Sequence, residues 1–168
     1  LKFYHMKKAL VILFALFALA LASTAQSPVR WRASVKMTSP TEGEITIKAL
    51  IAEGWHLYGL EMPDGGPKPT RFNFSDSKGI RTDGDIRPSE PPIVQMDPLF
   101  GKNLSWWDRN VTFTQRFTLT EPKEARVKVD ISFMSCNGGT CTPPKTETIT
   151  IVIPKYNPSE LNTPKKPR

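Results

Sequence analysis

Apolar side chains recur at every second position in one segment of this chain after another. Trp31, Ala33, Val35 and Met37 alternate with Arg30, Arg32, Ser34 and Lys36, and Ile45, Ile47, Ala49 and Ile51 with Glu44, Thr46 and Lys48. Phe72 and Phe74 flank Asn73, and Val111, Phe113, Phe117 and Leu119 share one parity. Val127, Val129, Ile131 and Phe133 alternate with Arg126, Lys128, Asp130 and Ser132, and Ile149, Ile151 and Ile153 close the set. Successive side chains of an extended strand point to opposite faces, so each segment offers one face to a core and the other to water.

Turn-forming residues fill the intervals: Ser39-Pro40, Asp64-Gly65-Gly66-Pro67, Asp83-Gly84, Glu90-Pro91-Pro92 and Glu121-Pro122. With proline abundant and no long helical period, the expected fold is all-β, an immunoglobulin-like β-sandwich of at least six short strands. It is expected to occupy residues 26–153, one domain's worth of chain. Residues 154–168, rich in Pro, Asn and Lys, read as a disordered C-terminal tail.

Residues 1–25 follow a different pattern. Met6-Lys7-Lys8 is a short basic start, Ala9 to Ala22 is an uncharged apolar run, and Ser23-Thr24-Ala25 supplies small residues for a peptidase. That order is expected of a cleaved signal peptide, helical in its apolar run, with Leu1 to His5 upstream of the start methionine. The run is shorter than the roughly 20 apolar residues that span a bilayer, so no anchor is expected after cleavage. The domain is therefore expected to be exported.

Charge narrows the function classes. Of 23 Lys and Arg residues, three lysines lie in the leader, leaving 20 basic against 16 acidic side chains in the remainder. This mild excess forms no basic stripe interleaved with aromatics, so nucleic acid is not expected as a partner. Solubility accounts for it.

Both cysteines, Cys136 and Cys141, lie in the exported part, where a disulfide can persist. Asn137-Gly138-Gly139-Thr140 between them is a turn-forming run that can bring the ends of two strands together. One reading is a structural staple in a non-catalytic immunoglobulin-like binding module. Closing so short a loop, however, restricts the unfolded chain by only roughly 2 kcal/mol. The other reading is an exchange site, since a local pair at a strand end can be approached in line by a thiolate. If the strand continues past Met134, Cys136 falls on the polar face with Ser132. Spacing alone leaves both readings open.

Three ordered motifs add to it. Phe133-Met134-Ser135-Cys136-Asn137-Gly138-Gly139-Thr140-Cys141-Thr142-Pro143-Pro144 resembles the active-site segment of the N-terminal periplasmic domain of the bacterial thiol–disulfide interchange protein DsbD. Glu53-Gly54-Trp55-His56-Leu57-Tyr58 is similar to that family's glycine-aromatic-x-Leu-Tyr strand, and Asp97-Pro98-Leu99-Phe100-Gly101-Lys102 to its cap loop. The resemblance runs from about Trp31 to Ile153.

The resemblance implies a periplasmic electron carrier with an immunoglobulin-like fold and neither metal nor organic cofactor. Its partners would be a separate membrane thiol reductase and periplasmic thioredoxin-like proteins. By position Cys136 and Cys141 are the redox pair, with Cys141 matching the cysteine that forms mixed disulfides. Asp97 matches the acid of the cap loop, Leu99 the aromatic that shields the sulfurs, and Tyr58 an aromatic beside them. Pro98 replaces a second acid, and Phe100 or Trp106-Trp107 are available where Leu99 lacks a ring. The cysteine spacing is one residue tighter than in the best-known members. A carboxylate near the pair disfavours a thiolate but can accept or return a proton during exchange.

His56 is the only histidine outside the leader. A blue-copper centre needs two imidazoles besides Cys, and zinc on Cys136, Cys141 and His56 lacks a fourth ligand, so neither is expected. His56 is expected to be a strand residue with a satisfied ring. Trp106 and Trp107 are expected to pack against the end of the sandwich rather than stack on a ligand.

Overall fold

Every alternating segment forms a strand that pairs antiparallel with its neighbours in the computed structural model, which describes residues 27–121 and 123–155. The expected leader with its helix, and the tail beyond residue 155, lie outside the described residues. The strands are β1 (Val29–Met37), β2 (Glu42–Ile51), β3 (His56–Tyr58), β4 (Arg71–Asn73), β5 (Ile80–Pro88) and β6 (Ile93–Asp97). They continue with β7 (Lys102–Trp107), β8 (Val111–Leu119), β9 (Ala125–Phe133), β10 (Ser135–Cys136) and β11 (Lys145–Ile153). Among the described residues no helix is long and apolar enough to cross a membrane.

Two sheets, ordered β1-β2-β8-β5 and β11-β9-β4, form the sandwich. The first sheet contributes Val29, Ile45, Ile47, Ala49, Val111, Phe113 and Phe117 to the core, and the second Val127, Val129, Ile131, Phe133 and Ile153. Burying each Val, Ile or Phe contributes about 1.5–3 kcal/mol, so this interface dominates stability. Trp31 of the first sheet joins the two layers, its ring 5.8 Å from Phe72 and 5.3 Å from Phe133. The expected immunoglobulin-like sandwich is the observed architecture.

One polar residue interrupts the apolar parity of β8. Gln115 is buried, and its Nε2 donates to the carbonyls of Asp83 at 3.3 Å, Gly84 at 3.0 Å and Arg116 at 3.0 Å. The register of β5 against β8 shifts between Asp83 and Arg87. A bulge frees backbone carbonyls from the ladder, and the buried amide satisfies two beside it.

A third sheet, ordered β10-β3-β7-β6, carries the candidate site. β9 ends at Phe133, Met134 breaks the extended run, and the chain passes from the second sheet into the third as β10. Ser135 then pairs with Leu57, and Cys136 with His56. The break corrects the expectation for Cys136. An unbroken strand would carry it to the polar face, but the change of sheet turns both Ser135 and Cys136 inward, and Cys136 is 2% exposed.

Candidate functional site

Local chemistry closes the cysteine loop. Asn137 Oδ1 accepts from the Thr140 N–H at 2.9 Å, and the Asn137 N–H donates to the Thr140 carbonyl at 3.1 Å. Gly138 sits at φ +84°, a conformation that costs an L side chain about 1–2 kcal/mol. Outside this turn the Thr142 N–H donates to the Ser135 carbonyl at 2.8 Å, and the Ser135 N–H to Thr142 Oγ1 at 3.2 Å. Ser135 and Thr142 thus clamp the two chains that carry Cys136 and Cys141, whose sulfurs form a disulfide across a Cα separation of 4.1 Å.

The two cysteines are not equivalent. Cys141 is only half-buried, whereas Cys136 belongs to a small apolar cluster with Tyr58 and Leu104, against which Met62, Phe100, Trp106 and Met134 pack. The Tyr58 hydroxyl lies 3.1 Å from Cys136 Sγ and 3.5 Å from Asp97 Oδ2. Tyr58 is held by its own backbone: its carbonyl accepts from the buried Thr70 hydroxyl at 2.6 Å. Burial pushes its phenol pKa well up, and the charge of Asp97 and the hydrogen bond to it add to the shift. The hydroxyl therefore stays a neutral donor over the working range of a thiol.

Asp97, 6% exposed, ends β6 and organises the loop that follows. Its Oδ1 accepts from the N–H groups of Leu99 at 2.8 Å and Phe100 at 3.1 Å, and its carbonyl from Gly101 at 2.8 Å. Gly101 adopts φ +62° to complete the turn. This turn folds Phe100 back until its ring stands edge-on to Tyr58, with centroids 6.2 Å apart.

Tyr58, Asp97, Phe100, Cys136 and Cys141 therefore converge. Leu99 does not: it is 59% exposed and outside the cluster around Cys136. The turn held by the Asp97 carboxylate sends residue 99 outward and residue 100 inward, so the aromatic one position later is the one that packs against the cluster around Cys136. Trp107 packs in the main core and donates from Nε1 to the Glu90 carbonyl at 3.1 Å, while Trp106 joins the site cluster.

His56 departs from its expectation. Its ring lies 5.0 Å from Tyr58 and 5.2 Å from Trp106, and its buried Nε2 has no hydrogen-bond partner. Burial lowers its pKa from 6.5, opposed by the charges of Asp97 and Asp108. The parity of His56 and Tyr58 on one strand was the sequence signal that could have placed this imidazole beside the pair.

The family model for the N-terminal part of the thiol:disulfide interchange protein DsbD matches residues 24–153. The fold is similar to the N-terminal periplasmic domain of ScsB from Proteus mirabilis, with TM-score 0.56 and 16% identity over 78% of this chain. This chain spans about half of that one, 49% of its length. It is also similar to the reduced DsbD N-terminal domain of Neisseria meningitidis, with TM-score 0.52 and 14% identity, covering 82% of this chain and 94% of that one. No curated protein sequence matches the chain.

Proposed function

This chain belongs to the N-terminal domain family of the thiol:disulfide interchange protein DsbD, and on that premise we propose that it is a periplasmic dithiol carrier. It takes electrons from a membrane thiol reductase and passes them to thioredoxin-like proteins through Cys136 and Cys141. The asymmetry of the pair carries this reading: Cys141 is reachable, while Cys136 is buried beneath the hydroxyl of Tyr58.

An incoming thiolate attacks Cys141 Sγ. A mixed disulfide forms, the Cys136–Cys141 bond breaks, and its electron pair leaves on Cys136 as a thiolate. The neutral Tyr58 hydroxyl is placed to donate to that charge, and a hydrogen bond to a charged group contributes about 1.5–3 kcal/mol. The donor's second thiol, as thiolate, then displaces Cys141, leaving the pair reduced by two electrons and two protons. In the outward direction Cys141 attacks the acceptor's disulfide, and Cys136 resolves the resulting mixed disulfide. Phe100, held by the Asp97 turn, covers the buried side of the pair against small oxidants.

The test replaces Cys136 with Ala, so that mixed disulfides on Cys141 cannot be resolved, and isolates what is trapped from a periplasmic extract. Thioredoxin-like proteins should be captured through Cys141, and the wild-type pair should equilibrate with glutathione. A pair below about −300 mV that traps nothing would be a structural bond in a binding module, and the relay would be excluded.

A further inference from the structure

The orphaned nitrogen of His56 makes sense once the pair is reduced. His56 and Cys136 are direct partners in the β3–β10 register. Side chains directly opposite one another on antiparallel strands share a face, with Cβ atoms about 4.5–5.5 Å apart. Tyr58, two residues along β3, is on that same face and reaches Cys136 Sγ with its hydroxyl. Trp106, the register partner of Tyr58, also packs against the imidazole, with ring centroids 5.2 Å apart. The half-buried His56 ring thus packs against Tyr58 and Trp106, on the strand that pairs with Cys136.

Although the residue is only half-buried, its Nε2 is buried without a partner. Buried polar atoms are rarely left so, and an exception calls for a reason. A disulfide sulfur has no proton to give, whereas a thiol has one. Reduction therefore creates a donor on the strand partner of His56, whose buried Nε2 can accept when the neutral ring carries its proton on Nδ1. Asp97 Oδ1 is engaged by two backbone N–H groups, and its Oδ2 lies on the Tyr58 side of the site, 3.5 Å from the hydroxyl. Neutral imidazole is required for this, and burial favours it over the protonated ring.

We propose that His56 is the base that holds, and during resolution takes, the thiol proton of Cys136. This rests on reading Cys136–Cys141 as the redox pair. In the mixed disulfide between Cys141 and an acceptor, the Cys136 S–H bond breaks and an N–H bond forms on His56. The Cys136 thiolate attacks Cys141 Sγ, the intramolecular disulfide forms, and the mixed disulfide breaks. Its electron pair leaves on the acceptor's sulfur, which takes up a proton from water, and the imidazolium returns its own to solvent. Of the charged and titratable groups, Tyr58 on β3 packs against the ring, Cys136 pairs with His56 across the strands, and the charges of Asp97 at the end of β6 and Asp108 beyond β7 bear on it.

The first test follows the His56 imidazole of the full chain by NMR through a pH titration, oxidised and reduced, with H56Q identifying the resonance. A thiol donating to the neutral ring should make His56 titrate at lower pH in the dithiol. Identical midpoints in the two states would overturn the proposal. The second test equilibrates H56F and H56Q with glutathione. H56F should hold the dithiol about tenfold less well, or ~30 mV for a two-electron couple. H56Q, with a carbonyl acceptor, should recover part of that while losing the low-pH inflection in the exchange rate. An H56F equilibrium and an H56Q pH profile both equal to the wild type would overturn it; if H56F does not fold, H56Q and the titration decide. Failure of the relay is separable: Cys141 would then trap no partner even where the His56 titration responds to reduction.

Discussion

The Tyr58 hydroxyl donates to Cys136 Sγ across 3.1 Å in a site from which the sulfur has almost no access to water. Its value is greatest when Cys136 carries charge, that is, while it leaves or attacks. Tyr58→Phe keeps the ring that packs on Phe100 and removes only the donor. Attack of a small dithiol on the disulfide should slow about 10- to 100-fold at neutral pH, the equivalent of a lost hydrogen bond to a charged group. Stopped-flow reduction kinetics provide the check; a rate within twofold of wild type would mean the hydroxyl does not stabilise the leaving sulfur.

Cover over the pair should reside in residue 100 rather than residue 99. Phe100 packs against the cluster that contains Cys136, while Leu99 stands in solvent. Phe100→Ala should accelerate oxidation of the reduced pair by hydrogen peroxide severalfold and leave the melting temperature nearly unchanged. Leu99→Ala should leave the oxidation rate where it is. Equal acceleration in both variants would show that loop order, not the ring, protects the thiols.

The sandwich was legible because strand periodicity is local: an apolar residue at every second position names its face wherever the strand is placed. Val127 to Phe133 and Ile45 to Ala49 are buried on the faces their parity assigns. The site was legible only where a motif fixed it. Parity failed at Cys136 because the change of sheet after Phe133 depends on pairing with His56 and Leu57, some 80 residues earlier, which no local pattern encodes. Leu99 and Phe100 differ by one position in a turn whose direction is set by the Asp97 carboxylate. A lone histidine on a strand gives no sign that its ring nitrogen will be buried without a partner. For Cys136 and His56 that information resides in contacts between distant segments.

Below neutral pH, the buried imidazole should show in stability as well as in exchange. The folded pKa of His56 is lowered from 6.5, so the unfolded chain binds its proton more readily than the folded one. The unfolded state then carries more protons between the two values, and stability rises with pH across that window. The contribution of His56 is fully present above about 6.5, the unfolded value, and is lost as pH falls through the folded pKa. The urea midpoint of the oxidised protein should therefore decline on moving from pH 7.5 to pH 5. His56→Gln, which cannot titrate, should flatten that decline, leaving the carboxylates to act at lower pH. An undiminished decline in His56→Gln would assign the acid sensitivity to other groups.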